Sequence, residues 1–176
     1  LWLIPLGLMG IAALCYYLVQ SGKMSIGSTN HGEFMSPPLN IVELTETAAN
    51  AATPFATNNK WSMVVRAEED CDERCREALY LSRQIHIRLD KSANRVQRVL
   101  LVDSLPLSAE TTDHIEQEHQ LLKMVEVPLS SLEQIDGATQ SAKGELPVFT
   151  LVDPDGWIMM AYYAEHEGCL LYTSPS

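Results

Sequence analysis

The sequence predicts an α/β fold built on a parallel-rich sheet. Two observations predict it: from Lys60 onward short apolar, β-branched runs alternate with helical patterns, and the last two runs flank the turn Asp153-Pro154-Asp155-Gly156 as a hairpin. Such an order, βαβαβαββ, implies a sheet covered on both faces with right-handed crossovers. The length of 176 residues allows one ordinary domain and an appendage. A charged fraction of 20% and a hydrophobic fraction of 46% are those of a globular chain. The net charge of −11 excludes a nucleic-acid binder, because phosphate binding needs clustered Lys and Arg.

The amino-terminal run from Leu1 to Val19 carries no charge. As a helix it spans roughly 28 Å, the thickness of a bilayer core. Residues 1–20 are therefore expected to be a transmembrane anchor, its length favouring an uncleaved segment over a signal peptide or a core helix. Cys15 follows Ile11-Ala12-Ala13-Leu14, where the bulky Leu14 stands in place of the small residue that a lipoprotein box needs, so Cys15 is expected to pack. After Lys23 the next charges are acidic, which suits a domain translocated to the outer, periplasmic side. Residues 21–59, rich in Ser, Thr, Asn, Pro and Ala and broken by Pro37-Pro38 and Pro54, read as a tether with a short ordered piece.

Residues 60–165 carry the domain. KWSMVVR reads as a buried strand, and the acidic loop AEEDCDERC follows it. CREALYLSRQIHIRL, with Ala78, Leu79, Ile85 and Leu89 at helical spacing, reads as an amphipathic helix with Cys71 at its start and Cys75 one turn in. Tyr80, Arg83 and Arg88 would cover its exterior. RVQRVLLVDS is a second strand. SAETTDHIEQEHQLL is a helix with Ser108 and Asp113 as capping or first-turn groups. LKMVEVP is a third strand, ended by Pro128 before a short helix around SSLEQI. LPVFTLV and WIMMAYY form the hairpin. One more helix is expected to cover the hairpin, yet few residues follow Tyr163. Residues 168–176, within GCLLYTSPS, read as translated adapter sequence, which would make Cys169 artefactual.

Cys71 and Cys75 are the sharpest chemical feature. Four residues apart on a helix they share a face, so both sulfurs can reach one metal ion, or each other if the first turn is distorted. A helix amino terminus favours a thiolate, while Glu68, Glu69, Asp70, Asp72 and Glu73 oppose it and attract cations. Three roles stay open: a metal-binding pair, a slowly reacting dithiol, or a structural disulfide. The acidic side chains themselves read as a solvated face.

The strand, CDERC and its helix, together with LPVFTLVDPDG and the hairpin, resemble the Sco (SenC) family of thioredoxin-like copper proteins that serve cytochrome c oxidase assembly. NHGEFMSPP, KWSMVV, CDERCREALYLSRQIHIRL and NRVQRVLLVD look like a group of small membrane proteins associated with cytochrome oxidase biogenesis in proteobacteria. The similarity covers about Asn30 to Tyr163. It implies a thioredoxin-like fold, copper as a possible cofactor, an oxidase subunit or another copper or thiol protein as partner, and a cis-proline at Pro147 beside the cysteine pair. A cis bond is found at only about 5 to 6% of X-Pro positions, so this expectation rests on the resemblance.

The sequence departs from the Sco pattern at one ligand. That family brings a His to copper from just before the late strand, and counting back from Asp153 reaches Glu145 instead. Glu145 could supply a carboxylate, a poor donor for monovalent copper. His86, three turns beyond Cys75 or roughly 16 Å away on the helix, cannot join the pair. His31, His114, His119 and His166 read as solvent-exposed. The expected function is a membrane-anchored oxidase assembly factor that handles copper or reduces partner thiols through Cys71 and Cys75. A general thiol-disulfide oxidoreductase and a docking module with a structural disulfide are the alternatives. The cysteine Cα atoms are expected within roughly 7 Å.

Overall fold

The computed structural model describes residues 3–20, 32–45, 54–57, 59–67, 70–142 and 144–164. The chain forms two compact units, residues 1–30 and 31–176. The first contains helix α1, Leu3–Gln20, of 18 residues with no acidic or basic side chain. Among the residues whose side chains are described, no helix is long and apolar enough to cross a membrane. Cys15 has no described side chain, and the tail from residue 165 lies outside the described residues, so the expectations for both stop there.

The second unit is a six-stranded sheet in the order β1-β6-β5-β2-β3-β4. Its strands are β1 Glu33–Asn40, β2 Trp61–Arg66, β3 Val96–Val102, β4 Leu122–Glu126, β5 Phe149–Val152 and β6 Trp157–Tyr162. β2, β3 and β4 run parallel, with Val64 opposite Val99 and Leu100 opposite Met124. β5 returns antiparallel to β2, and β6 antiparallel to β5. The closing hairpin is present as expected, but the sheet is mixed rather than parallel-rich, with two parallel pairings and three antiparallel ones, because the edge strand β1 adds an antiparallel pairing to the hairpin.

Alternation along the strands divides the core in two, because successive side chains point to opposite faces. Met63, Val65, Leu100 and Val102 pack under α4, Glu73–Arg88, and α5, Ala109–Glu118. Val64, Val99, Leu101 and Val152 pack under α6, Leu129–Thr139, together with Ile41 of α2, Ile41–Thr45, and Phe55 of the short turn α3, Pro54–Thr57. All four of the first set and all four of the second are buried. Burying one Leu or Ile contributes on the order of 1.5–3 kcal/mol.

The tether expected over 21–59 is corrected in its second half. β1 pairs antiparallel with β6, Glu33 opposite Ala161 and Asn40 opposite Trp157, so the domain begins before Lys60. Pro37 and Pro38 do not prevent this, because β1 is the edge strand and its register shifts between Phe34 and Leu39, where missing amide donors leave no ladder bond unmade. The hairpin turn anchors the same edge. Asp153 Oδ1 accepts from the amides of Asp155 and Trp157 at 3.0 and 2.8 Å, and the Gly156 carbonyl accepts from Ile41 N at 2.8 Å. Gly156 has φ +89°, and a Cβ there would meet Val42 Cγ2 at 2.3 Å, so only glycine lets α2 approach so closely.

Candidate functional site

The cysteine pair lies where β2 hands over to α4. α4 begins at Glu73, with Asp72 as its N-cap accepting from Cys75 N at 2.9 Å. Cys71 therefore precedes the helix, which corrects the expectation that both cysteines ride one helical face. Cys71 has φ +57°, a left-handed conformation uncommon for a residue with a Cβ. That turn directs the chain so that Cys71 and Cys75 are joined by a disulfide with a Cα separation of 5.1 Å, inside the expected limit. Both residues are buried, at 1% and 3% exposure, among Ala78, Leu79 and Met63.

Acidic side chains hold this loop rather than simply facing water. Asp70 Oδ1 accepts from Ser108 N at 2.7 Å, and the Asp70 carbonyl accepts from Thr111 Oγ1 at 2.9 Å. These bonds fasten the cysteine loop to the amino terminus of α5, where Ser108 caps Thr111 N at 3.2 Å. Ser108 thus caps as expected, whereas Asp113 lies beyond the first turn. The side-chain and backbone hydrogen bonds from Ser108 hold the Asp70 carboxyl below the usual carboxylate range. Arg76 on α4 reaches Glu110 on α5 at 3.3 Å, a second and more exposed tie between the same elements.

A cleft opens beside the disulfide. Its walls include Asp72, Arg74, Cys75, Leu146, Pro147 and Val148, with the Arg66–Asp136 ion pair, 3.0 Å, also lining it. Cys71 does not line this cleft. The Arg74 guanidinium donates to the Leu146 carbonyl, tying the start of α4 to the segment before β5.

Pro147 therefore does face Cys75, as expected, but its bond is not cis. The cis peptides among the described residues are Ser36–Pro37 and Leu105–Pro106. The trans form is the intrinsic preference of an X-Pro bond by about 0.5–1 kcal/mol. Glu145 is exposed and does not line the cleft; its backbone bonds with Ser141, and its side chain is not brought to the pair.

No group of three or more His, Cys, Asp or Glu side chains that could hold a metal ion occurs among the described residues. His86 Nε2 lies 3.1 Å from both the Ala93 and Val96 carbonyls, within the turn after α4. His31 and His166 lie outside the described residues. His119 is corrected: it is 4% exposed, not a surface residue. It packs against buried Arg98, whose Nη2 donates to His119 Nδ1 at 3.3 Å. Burial first, then the Arg98 charge, pushes its pKa down to about 4. Sequence reasoning missed this pair because an arginine within an otherwise apolar strand reads as edge or surface.

The family described as "Transmembrane-like, thioredoxin-like, C-terminal domain" matches residues 61–173, which begins at β2 and includes both cysteines and Pro147. The chain belongs to this family. The thioredoxin-like fold of the second unit follows from that membership and from its mixed sheet.

Among solved structures, the chain is similar to ScoI of Bradyrhizobium japonicum with copper bound, at 14% identity and a TM-score of 0.42, covering 65% of this chain and 85% of that one. It is also similar to yeast Sco1 with copper bound, at 12% identity and 0.44, covering 64% and 75%. Arabidopsis thaliana ScoI with copper bound gives 12% identity and 0.46, covering 64% and 79%. No curated protein matches by sequence.

Proposed function

We propose that this thioredoxin-like chain is a membrane-anchored assembly factor for respiratory cytochrome c oxidase that acts by thiol-disulfide exchange through Cys71 and Cys75. The observation that carries the reading is the pair itself: two sulfurs bonded across a strand-helix junction, with one of them at the wall of a cleft. The oxidase pathway rests on the sequence resemblance to the Sco family. The anchor is α1, whose 18 uncharged residues extend about 27 Å as a helix. The acidic chain after Lys23 suits a domain on the periplasmic side.

In this reading the reduced pair is the donor. Cys75, which lines the cleft beside Pro147, attacks a sulfur of a partner's disulfide as the thiolate. The partner's S–S bond breaks and its other sulfur leaves with the electron pair, later taking a proton. Cys71 then attacks Cys75 Sγ, the intramolecular disulfide forms, and the partner's second sulfur leaves as a thiolate. Two electrons pass to the partner, and a dithiol reductant returns the pair to its reduced state. The helix amino terminus, with Cys75 in its first turn, favours negative charge on the attacking sulfur. Pro147 and the Arg74-held Leu146 carbonyl shape the surface on which the partner strand docks.

Copper is the second reading, with the ion as cargo. The two sulfurs, once reduced, suit two-coordinate monovalent copper, whereas the divalent ion wants nitrogen or oxygen donors. Exposed Glu145, away from the cleft, does not supply them, so the donor set fits the monovalent ion alone.

The test is genetic and chemical together. In cells lacking the chain, oxidase activity and the reduced fraction of the oxidase copper-ligand thiols are both expected to fall. The wild type restores them, and Cys71→Ser and Cys75→Ser do not. Full restoration by either variant removes the exchange role.

A further inference from the structure

A second cleft lies at the opposite end of α4, lined by Arg83, Arg98, Glu118, His119 and Gln120 among others. Arg98, on β3, is 3% exposed. Its Nε donates to Ser82 Oγ at 3.0 Å, and its Nη2 to the Leu79 carbonyl at 2.7 Å and to His119 Nδ1 at 3.3 Å. A guanidinium has five N–H groups, so the two on Nη1 take no acceptor among the described residues. Nη1 is also not among the fully enclosed unpaired atoms, so it is reached through the cleft that Arg98 lines.

No carboxylate forms an ion pair with Arg98 among the described residues, and a buried charge without a partner is costly. The neighbouring Arg83 is already neutralised by Glu118 at 2.7 Å. His119 accepts from Arg98 at Nδ1, so it carries its proton on Nε2 and offers a donor without adding charge. The cleft therefore holds one uncompensated positive charge, set beside one neutral donor, His119 Nε2.

We propose that this cleft binds a carboxylate, seated on Arg98 Nη1 and His119 Nε2. A monoanion matches the single uncompensated charge, while a phosphate dianion would meet Glu118 with excess repulsion. The carboxylate belongs either to a small organic acid or to the carboxyl terminus of a peptide. The burial that lowers Arg98 to about 10 and His119 to about 4 is relieved by such an anion.

The full chain in detergent micelles is titrated with sodium acetate, with N-acetyl-dialanine and with its carboxyl-terminal amide, at constant ionic strength in sodium chloride. The readouts are the His119 ring and Arg98 guanidinium resonances and the thermal midpoint. Acetate and the free acid are expected to shift both resonances saturably, to raise the His119 pKa and to stabilise the fold. The amide is expected to do nothing. Binding by the dialanine acid much tighter than acetate assigns a peptide terminus, and equal binding a small acid. Arg98→Gln is expected to weaken binding roughly tenfold or more, the worth of one charged hydrogen bond. Should Arg98→Gln fail to fold, His119→Phe, which keeps the ring's bulk, carries the test with the same expected loss. Chloride producing the same shifts, linear rather than saturating responses, or unchanged affinity in the variant that folds overturns the proposal.

Discussion

Reduction of the Cys71–Cys75 bond is expected to leave the domain folded, at a cost of about 2 kcal/mol. The bond joins residues four apart, so it closes a loop of about five residues, and the chain-entropy relation gives roughly 2 kcal/mol for so small a loop. The native side changes little. Both cysteines are buried in the apolar cluster under α4, where two thiols pack much as the disulfide does, and the loop stays held by the Asp70 bonds to Ser108 and Thr111. The two cores on either face of the sheet do not depend on the bond. A pair that cycles needs this property, because both redox states must present the same cleft. Urea denaturation of the full chain in micelles, oxidised and reduced under nitrogen, measures the difference. Loss of the native fold on reduction, or a cost above about 4 kcal/mol, refutes the reasoning and makes the bond a structural staple.

Three further outcomes follow from particular contacts. Asp72→Ala removes the cap on Cys75 N and is expected to cost about 1 kcal/mol in urea denaturation. His119 has a folded-state pKa near 4 against 6.5 unfolded, so its contribution is complete above pH 6.5 and is lost as pH falls towards 4, because the unfolded chain takes the proton first. Arg98, Arg83, His114 and Glu118 face it. Wild type is expected to lose about 2 to 3 kcal/mol between pH 7 and 4.5 that His119→Gln does not lose, read by denaturation at the two pH values. The reduced chain is expected to bind one monovalent copper ion against a competing chelator, the oxidised chain none, and the Cys71→Ser and Cys75→Ser variants at least tenfold more weakly.

The sequence carried the sheet because its strands are continuous apolar runs and its helices repeat at 3.6 residues. Val64, Val65, Val99 and Leu100 announce buried strands without help from context. β1 was hidden, since its prolines argue against a strand everywhere except at an edge, and edge position is a tertiary fact. The cysteine spacing announced a shared site but not its geometry. The helix starts two residues after Cys71 because Asp72 caps it, and an Asp three residues before Cys75 is a signal that was available. Pro147 was placed correctly against Cys75 and given the wrong isomer, since that isomer was taken from the resemblance and not from any local signal in the sequence. Arg98 and His119 left no trace in the pattern, because a buried polar pair is defined by neighbours on α4 and α5 rather than by spacing.

Which sulfur meets a partner is the most direct test of the exchange account. Cys75 lines the cleft with Pro147 and Cys71 does not, so a single free thiol at position 75 is expected to be captured and one at position 71 to be protected. The full-chain Cys71→Ser and Cys75→Ser variants, in micelles, are incubated with a disulfide-bonded peptide, and mixed disulfides are counted by mass spectrometry. The account predicts rapid mixed-disulfide formation at Cys75 in Cys71→Ser and at least tenfold slower capture in Cys75→Ser. Faster capture at Cys71 contradicts the assigned direction of attack, and no capture by either variant contradicts thiol-disulfide exchange itself.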